Sequence, residues 1–310
     1  MKRTSWVSEV TLDAVKHFAW GIGDNNPLWV DADYGPKSAL NRTIAPPSFA
    51  YAIDETSVAP GYEGYERHYQ TVNWEWFHPF EIGDRITAET KLLEADEDSS
   101  EGSIRQHGEI IFVSESNGVI AKASVIVRRD KNPLPEIDQR QEIRYNSDEL
   151  FQIEDKVLSE DYRGAKPRFW EEIVIGESIG TITKGPLSIM DIVAWCAGTQ
   201  GAPDDQHECS SGGLDTQAAT GPQLTAWIIH LITNWMGDNG FLSQLMVNFD
   251  ELPFLGSTTT ITGTITQTSN DDSGHWCEVS ISCQLQNNHL AATATALISL
   301  PLKENSNTAT

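Results

Sequence analysis

Gly23-Asp24-Asn25-Asn26-Pro27-Leu28 sets one carboxylate and two amides in a short loop at the end of an amphipathic stretch. A carboxylate can take up and return a proton, so this loop is the first place to look for chemistry. The plainer reading is that Asp24 and Asn26 only turn the chain, a common use of Asp and Asn before Pro. Trp29, one residue further on, donates a hydrogen bond but exchanges no proton near neutral pH. For an imidazole the chain offers two candidates, and both read equally well as solvated surface histidines. Asp204-Asp205-Gln206-His207 puts carboxylates and a ring in one loop, and His78 stands beside Pro79. Ser48 and Phe49 follow Pro47 at a predicted helix start, where free N–H groups would favour a carbonyl oxygen gaining charge. Arg128-Arg129-Asp130-Lys131 is the one dense basic cluster, fit for a phosphate but equally for solubilising a strand end.

These residues need elements to hold them. Thr11-Leu12-Asp13-Ala14 predicts a helix start, with Val15, Phe18, Ala19 and Ile22 at helical spacing and an end near Gly23. Tyr34-Gly35-Pro36 predicts a turn, and a second helix is expected from Pro47 or Ser48, since Pro is tolerated in a first turn. From residue 69 the period changes to two. Gln70–Phe77, Arg85–Leu93, Ser103–Val113 and Val119–Arg128 predict four strands, with the acidic run Glu94–Asp98 and a Ser116-Asn117-Gly118 turn as connections. Helices followed by an antiparallel meander make an α+β pattern. Residues 131–167 read as a linker carrying one helix from Ser147 to Leu158, and Phe169–Glu177 as a strand and turn that start the chain afresh.

The second half then repeats the first. Ala19-Trp20 matches Ala194-Trp195, Pro47 matches Pro222, and Val72-Asn73-Trp74-Glu75 matches Val247-Asn248-Phe249-Asp250, all at an offset of 175 residues. Helix, loop and second helix therefore should agree in length between the halves. At the same offset Asp24, Asn26 and Trp29 become Thr199, Gly201 and Asp204, so the carboxylate loop is erased in the second copy.

Composition narrows the function classes. A net charge of -24 over 310 residues argues against nucleic acid or an anionic membrane as partner. Met1-Lys2-Arg3-Thr4-Ser5 opens no apolar run, and Leu224–Met236, interrupted by His230 and Asn234, is too short for a bilayer; a cytoplasmic protein is expected. Cys196, Cys209, Cys277 and Cys283 have no metal-site spacing and suggest reduced, partly buried thiols.

Gly23-Asp24-Asn25-Asn26-Pro27-Leu28 resembles the hydratase motif of MaoC-like dehydratases and R-specific enoyl-CoA hydratases, Gly-Asp-x-Asn-Pro-x-His, with Trp29 where the motif has histidine. Trp74-Glu75-Trp76-Phe77 with Pro79 and Gly83-Asp84 looks like a FAS1-like N-terminal dehydratase domain. Arg168-Phe169-Trp170-Glu171, Gly185-Pro186-Leu187-Ser188 and Asn234-Trp235-Met236-Gly237-Asp238 look like the C-terminal half of such enzymes. The resemblance implies a double hotdog fold: an N-terminal hotdog over 1–130, the linker 131–167, a C-terminal hotdog over 168–302, and a disordered tail over 303–310. It further implies reversible hydration of a 2-enoyl thioester of CoA or a carrier protein, or dehydration of a 3-hydroxyacyl thioester, with no metal or redox cofactor. Asp24 takes the acid/base position, Asn26 orders the loop, and Ser48 and Phe49 meet the thioester oxygen. His207 or His78 would have to supply the imidazole, and Arg128 and Arg129 the contact to phosphate. The incomplete motif keeps open a non-catalytic acyl-binding partner of a second hotdog subunit, a homodimer, a pseudoenzyme, or a specialised enzyme with another base.

Overall fold

A computed structural model describes residues 7–62, 65–98, 102–131, 143–160, 165–199, 218–271 and 274–303. Helix α1 (Leu12–Gly21) is capped by Thr11, whose side chain accepts from the Ala14 N–H, and it buries Val15, Phe18 and Ala19. Gly23, at φ +68°, turns the chain out of the helix, a conformation that favours glycine. Asn26 then caps the short helix α2 (Pro27–Val30). A two-residue strand β1 (Ile44–Ala45) leads to a tight turn at Pro47–Phe49, which continues into α3 (Ala50–Ile53).

The meander follows as β2 (Glu66–Trp76), a short β3 (Phe80–Glu81) paired with β1, β4 (Ile86–Asp98), β5 (Ser103–Ser114) and β6 (Gly118–Asp130). The acidic run Glu94–Asp98 is not a connection. It extends β4, pairing with Ser103–His107 at a sheet edge where the carboxylates of Glu94, Asp96 and Glu97 stay in water.

Linker helix α4 spans Ser147–Leu158, with Asn146 and Glu149 forming a reciprocal cap. Phe169–Glu177 is not a strand; it holds a single tight turn at Trp170–Glu172 ahead of β7 (Ser178–Lys184). Helices α5 (Ile189–Thr199) and α6 (Gly221–Met236) come next, then β8 (Phe241–Phe249), β9 (Thr259–Asp271), β10 (Gly274–Leu285) and β11 (Leu290–Ser299).

All but the β1–β3 pair join one antiparallel nine-stranded sheet in the order β4-β5-β6-β2-β8-β11-β10-β9-β7. The order is a palindrome of the two halves, with β7 added at one edge. Its centre is the β2–β8 pair, where Val72 lies directly opposite Val247, its own counterpart at the 175 offset. The pseudo-dyad of the repeat therefore passes through that pair. In the first half the counterpart of the β7–β9 pairing is reduced, among the described residues, to a single bridge between Glu9 and Arg85.

The halves differ most in their central helices. All sixteen residues of α6 are buried, whereas the first-half helix stops after Pro47–Ile53 and the chain runs on without regular structure. The expected equality of length fails there. Asp54 ends the helix in an extended conformation and its side chain accepts the Thr56 N–H, an Asx turn that competes with further helix. Among the described residues no helix is long and apolar enough to cross a membrane.

Candidate active site

Asp24 is placed by local bonds. Its N–H donates to Ala19 O at the end of α1, and its Oδ1 accepts the Asn26 N–H at 3.0 Å. Asn26 in turn accepts the Leu28 N–H at 3.0 Å, so the loop is locked by two successive side-chain turns. The other carboxylate oxygen of Asp24, Oδ2, is buried with no hydrogen-bond partner among the described residues.

An imidazole does stand against Asp24, and it comes from the other half. His230, in the middle of α6, brings Nε2 to 3.5 Å from Asp24 Oδ1 and 2.7 Å from Glu160 Oε1, with its N–H aligned on neither oxygen. Lys184, the last residue of β7, fixes the ring from behind. Its Nζ donates to Ile22 O at 3.0 Å, Gly23 O at 3.1 Å and His230 Nδ1 at 2.9 Å. An ammonium has three protons and no lone pair, so this contact assigns Nδ1 as acceptor and leaves the ring proton on Nε2, facing the carboxylates. Burial drives the Lys184 ammonium below its usual pKa, against the opposing pull of Glu160, Asp24 and Asp191. For Glu160, burial alone would raise the carboxyl. The adjacent His230 imidazole, the charge of Lys184 and the Asn234 amide outweigh it and hold Glu160 below its usual value.

Two cavities flank the Asp24 loop. A polar cleft of about 420 Å³ is lined by Gly23, Asn25, Glu160, Lys184, Gln223 and Trp227. An apolar pocket of about 220 Å³ lies past Asn26 and Trp29 and is closed by Trp76, Thr233 and Met236. Trp29, at the motif's histidine position, is thus a buried wall of the apolar pocket. Trp76 reaches the same pocket, while Trp74 stacks on it with ring centroids 5.3 Å apart and gives its indole N–H to Tyr51.

The other sequence candidates lie apart from this cluster or are already engaged. His78 is exposed and borders the apolar pocket beside Pro79. His207 lies outside the described residues. Ser48 is buried, with its hydroxyl lacking a partner among the described residues, and the Phe49 N–H is consumed by Pro46 O at 2.9 Å. Arg129 is sunk among Gln106 and Val58 O, and Arg128 pairs with Asp130 at 2.8 Å, so both guanidiniums bond within the chain.

Sequence reading missed His230, Glu160 and Lys184 as a set. The available signal was Gln223, His230 and Asn234 at steps of seven and four along an otherwise apolar helix. Polar groups on a buried helix face need partners, and their alignment marks where those partners converge.

The antiparallel sheet with its paired central helices defines the double hotdog class, in α+β form. Residues 1–119 match the family model of the FAS1-like, dehydratase domain region. No curated protein sequence matches the chain significantly. Among solved structures, a MaoC-like dehydratase superposes with a TM-score of 0.70 at 14% identity over 97% of each chain. A MaoC domain protein from Chloroflexus aurantiacus gives 0.66 at 11% identity, covering 97% of this chain and 93% of its own. A Mycobacterium tuberculosis protein with a double hotdog fold gives 0.64 at 10% identity, covering 95% and 94%. Residues 1–119 are thus similar to the FAS1-like dehydratase region, and over nearly its whole length the chain shares the fold of these solved structures, one of them described as a double hotdog.

Proposed function

We propose that the chain is an acyl-thioester hydratase/dehydratase, with Asp24 and His230 as an acid/base pair assembled across the two halves. The observation that carries the reading is the 3.5 Å approach of His230 Nε2 to the Asp24 carboxylate. A water between them can give a proton to Asp24 Oδ2, which has no partner among the described residues, while its oxygen accepts the His230 Nε2–H. In hydration, Asp24 takes that proton as the oxygen adds to C3 and the C2–C3 electron pair moves toward the thioester oxygen; Asp24 then returns the proton to C2. In dehydration the order reverses, and the His230 N–H stabilises the charge on the departing hydroxyl without itself being spent. A neutral ring held as a donor suits that task, as Lys184 ensures.

The two cavities support the substrate class. The polar cleft suits a thioester arm and the apolar pocket an acyl group. Lys184 is the one cation among the described residues lining the cleft, and its three protons are engaged, which favours a neutral arm over a phosphate at this point.

The test is hydration of a panel of 2-enoyl-CoA thioesters by the purified chain, followed by loss of enoyl absorbance. Asp24→Asn and His230→Gln should each lower kcat by about 10²- to 10⁴-fold. Full turnover in Asp24→Asn would remove the pair from the mechanism, and release of free thiol without a water adduct would make the chain a thioesterase. The reading as a non-catalytic acyl-binding subunit drew on the missing motif histidine, and His230 takes away that ground. An inactive parent protein would restore it.

A further inference from the structure

Glu160 belongs to the linker, two residues past the end of α4, yet its carboxylate lies in the site. Its Oε1 accepts the Asn234 Nδ2–H at 2.7 Å and lies 2.7 Å from His230 Nε2. His230 and Asn234 are four residues apart on α6, so both face the same way, one turn after the other. Two donor nitrogens of a rigid, buried helix lie within 2.7 Å of one oxygen, Asn234 Nδ2 hydrogen-bonded to it and His230 Nε2 close by with its N–H not yet aligned, a placement suited to binding an oxygen between them. The oxygen they hold here is supplied by the chain itself.

The element that delivers it is loosely held. Of the twelve residues of α4 only Ile153 is buried, and Leu150, Phe151 and Leu158 are exposed. The pair it covers is sealed, since the side chains of Asp24 and His230 are each 1% exposed while that of Glu160 is 19% exposed and lines the cleft. A ligand entering from the cleft meets Glu160 before His230. Glu160 Oε1 already accepts the Asn234 amide, whereas Asp24 Oδ2 has no partner among the described residues.

We propose that His230 Nε2–H and Asn234 Nδ2–H together form the site for the reacting oxygen, and that Glu160 is a built-in carboxylate ligand which the substrate displaces. Glu160 Oε1 stands in for the oxygen of the added water or of the 3-hydroxyl group. That identity rests on the hydratase reading; the displaceable carboxylate does not. Asn234 becomes a catalytic residue, the second donor to that oxygen.

Two measurements test this. In enoyl-CoA hydration, Glu160→Ala should lower KM about ten-fold with kcat no lower, because the site no longer has to be vacated first. Glu160→Gln should do so less, and Asn234→Ala should lower kcat about 10²-fold with Glu160 present or absent. A collapse of kcat in both Glu160 variants would make Glu160 a catalytic group and overturn the proposal. The second readout needs no turnover: titration of sodium acetate into protein labelled with ¹⁵N at histidine. The His230 Nε2 resonance of Glu160→Ala should shift saturably, that of the parent should not, and Asn234→Ala in the Glu160→Ala background should weaken the response. If Glu160→Ala does not fold, Glu160→Gln takes its place in the titration. Equal responses in parent and variant would overturn the proposal. The expected acetate response from a parent inactive on every enoyl thioester would leave the built-in ligand standing and sink the hydratase reading alone.

Discussion

Lys184 shows how a single residue ties the two halves into one site. It comes from the second half, satisfies two first-half carbonyls next to Asp24, and presents its third proton to His230. Lys184→Met should free Nδ1 to take the ring proton, turning the face toward Asp24 from donor to acceptor. The expected outcome is a loss of kcat of about 10²-fold, together with exchange of the two ring-nitrogen signals in ¹⁵N spectra. Lys184→Arg should not rescue it, since a planar guanidinium cannot address three acceptors disposed around one nitrogen. Glu160 gives a pH signature of a different kind. Its carboxyl is held below the usual value in the folded chain, so the unfolded chain binds more protons as pH falls. Its contribution to stability is present above the unfolded glutamate pKa of about 4.3 and is lost as pH drops through the lower folded value. Urea unfolding of Glu160→Gln should therefore show a flatter acid limb than the parent.

At the scale of elements, the crossing of α1 and α5 sets the position of the Asp24 loop. The helices meet so closely that a Cβ on Gly198 would lie 2.9 Å from Phe18 Cα and 3.0 Å from His17 O, both backbone atoms that cannot step aside. Gly198→Ala should cost about 1–3 kcal/mol in urea unfolding and lower turnover as well, because the displaced helix carries the loop. Gly61→Ala, where a Cβ meets nothing within 4 Å, should stay within about 0.5 kcal/mol of the parent. Most elements were legible because their patterns are local: the helix start at Thr11–Ala14, the period-two strands, and the helix from Ser147 to Leu158. The errors arose where long-range pairing overrides local composition. Glu94–Asp98 is charged enough to look like a loop, and only its partner strand makes it β4. His230 was visible in the sequence as a break in an apolar run. Its meaning depends on a carboxylate 206 residues away, which no local spacing can encode.

The whole molecule is a symmetric frame with an asymmetric content. The repeat was readable from the 175-residue offset, and the Val72–Val247 pair places its dyad at the centre of the palindromic sheet. The same operation applied to the site finds nothing comparable. Asp24 maps to Thr199, whose hydroxyl donates to Trp195 O, and His230 maps to Glu55, which lies beyond the shortened first-half helix. Lys184 maps to Glu9, an exposed residue paired with Arg85. Duplication thus supplied two copies of each element, but the loop of the first copy works only with the helix of the second. The chain should hence bind one substrate for its two hotdog halves. Calorimetric titration of Asp24→Asn with a 3-hydroxyacyl-CoA should give one site per chain, and His230→Gln in the same background should weaken that site. Two equivalent sites, or one insensitive to His230, would mean that substrate binds by the symmetry of the frame and not at the junction between its halves.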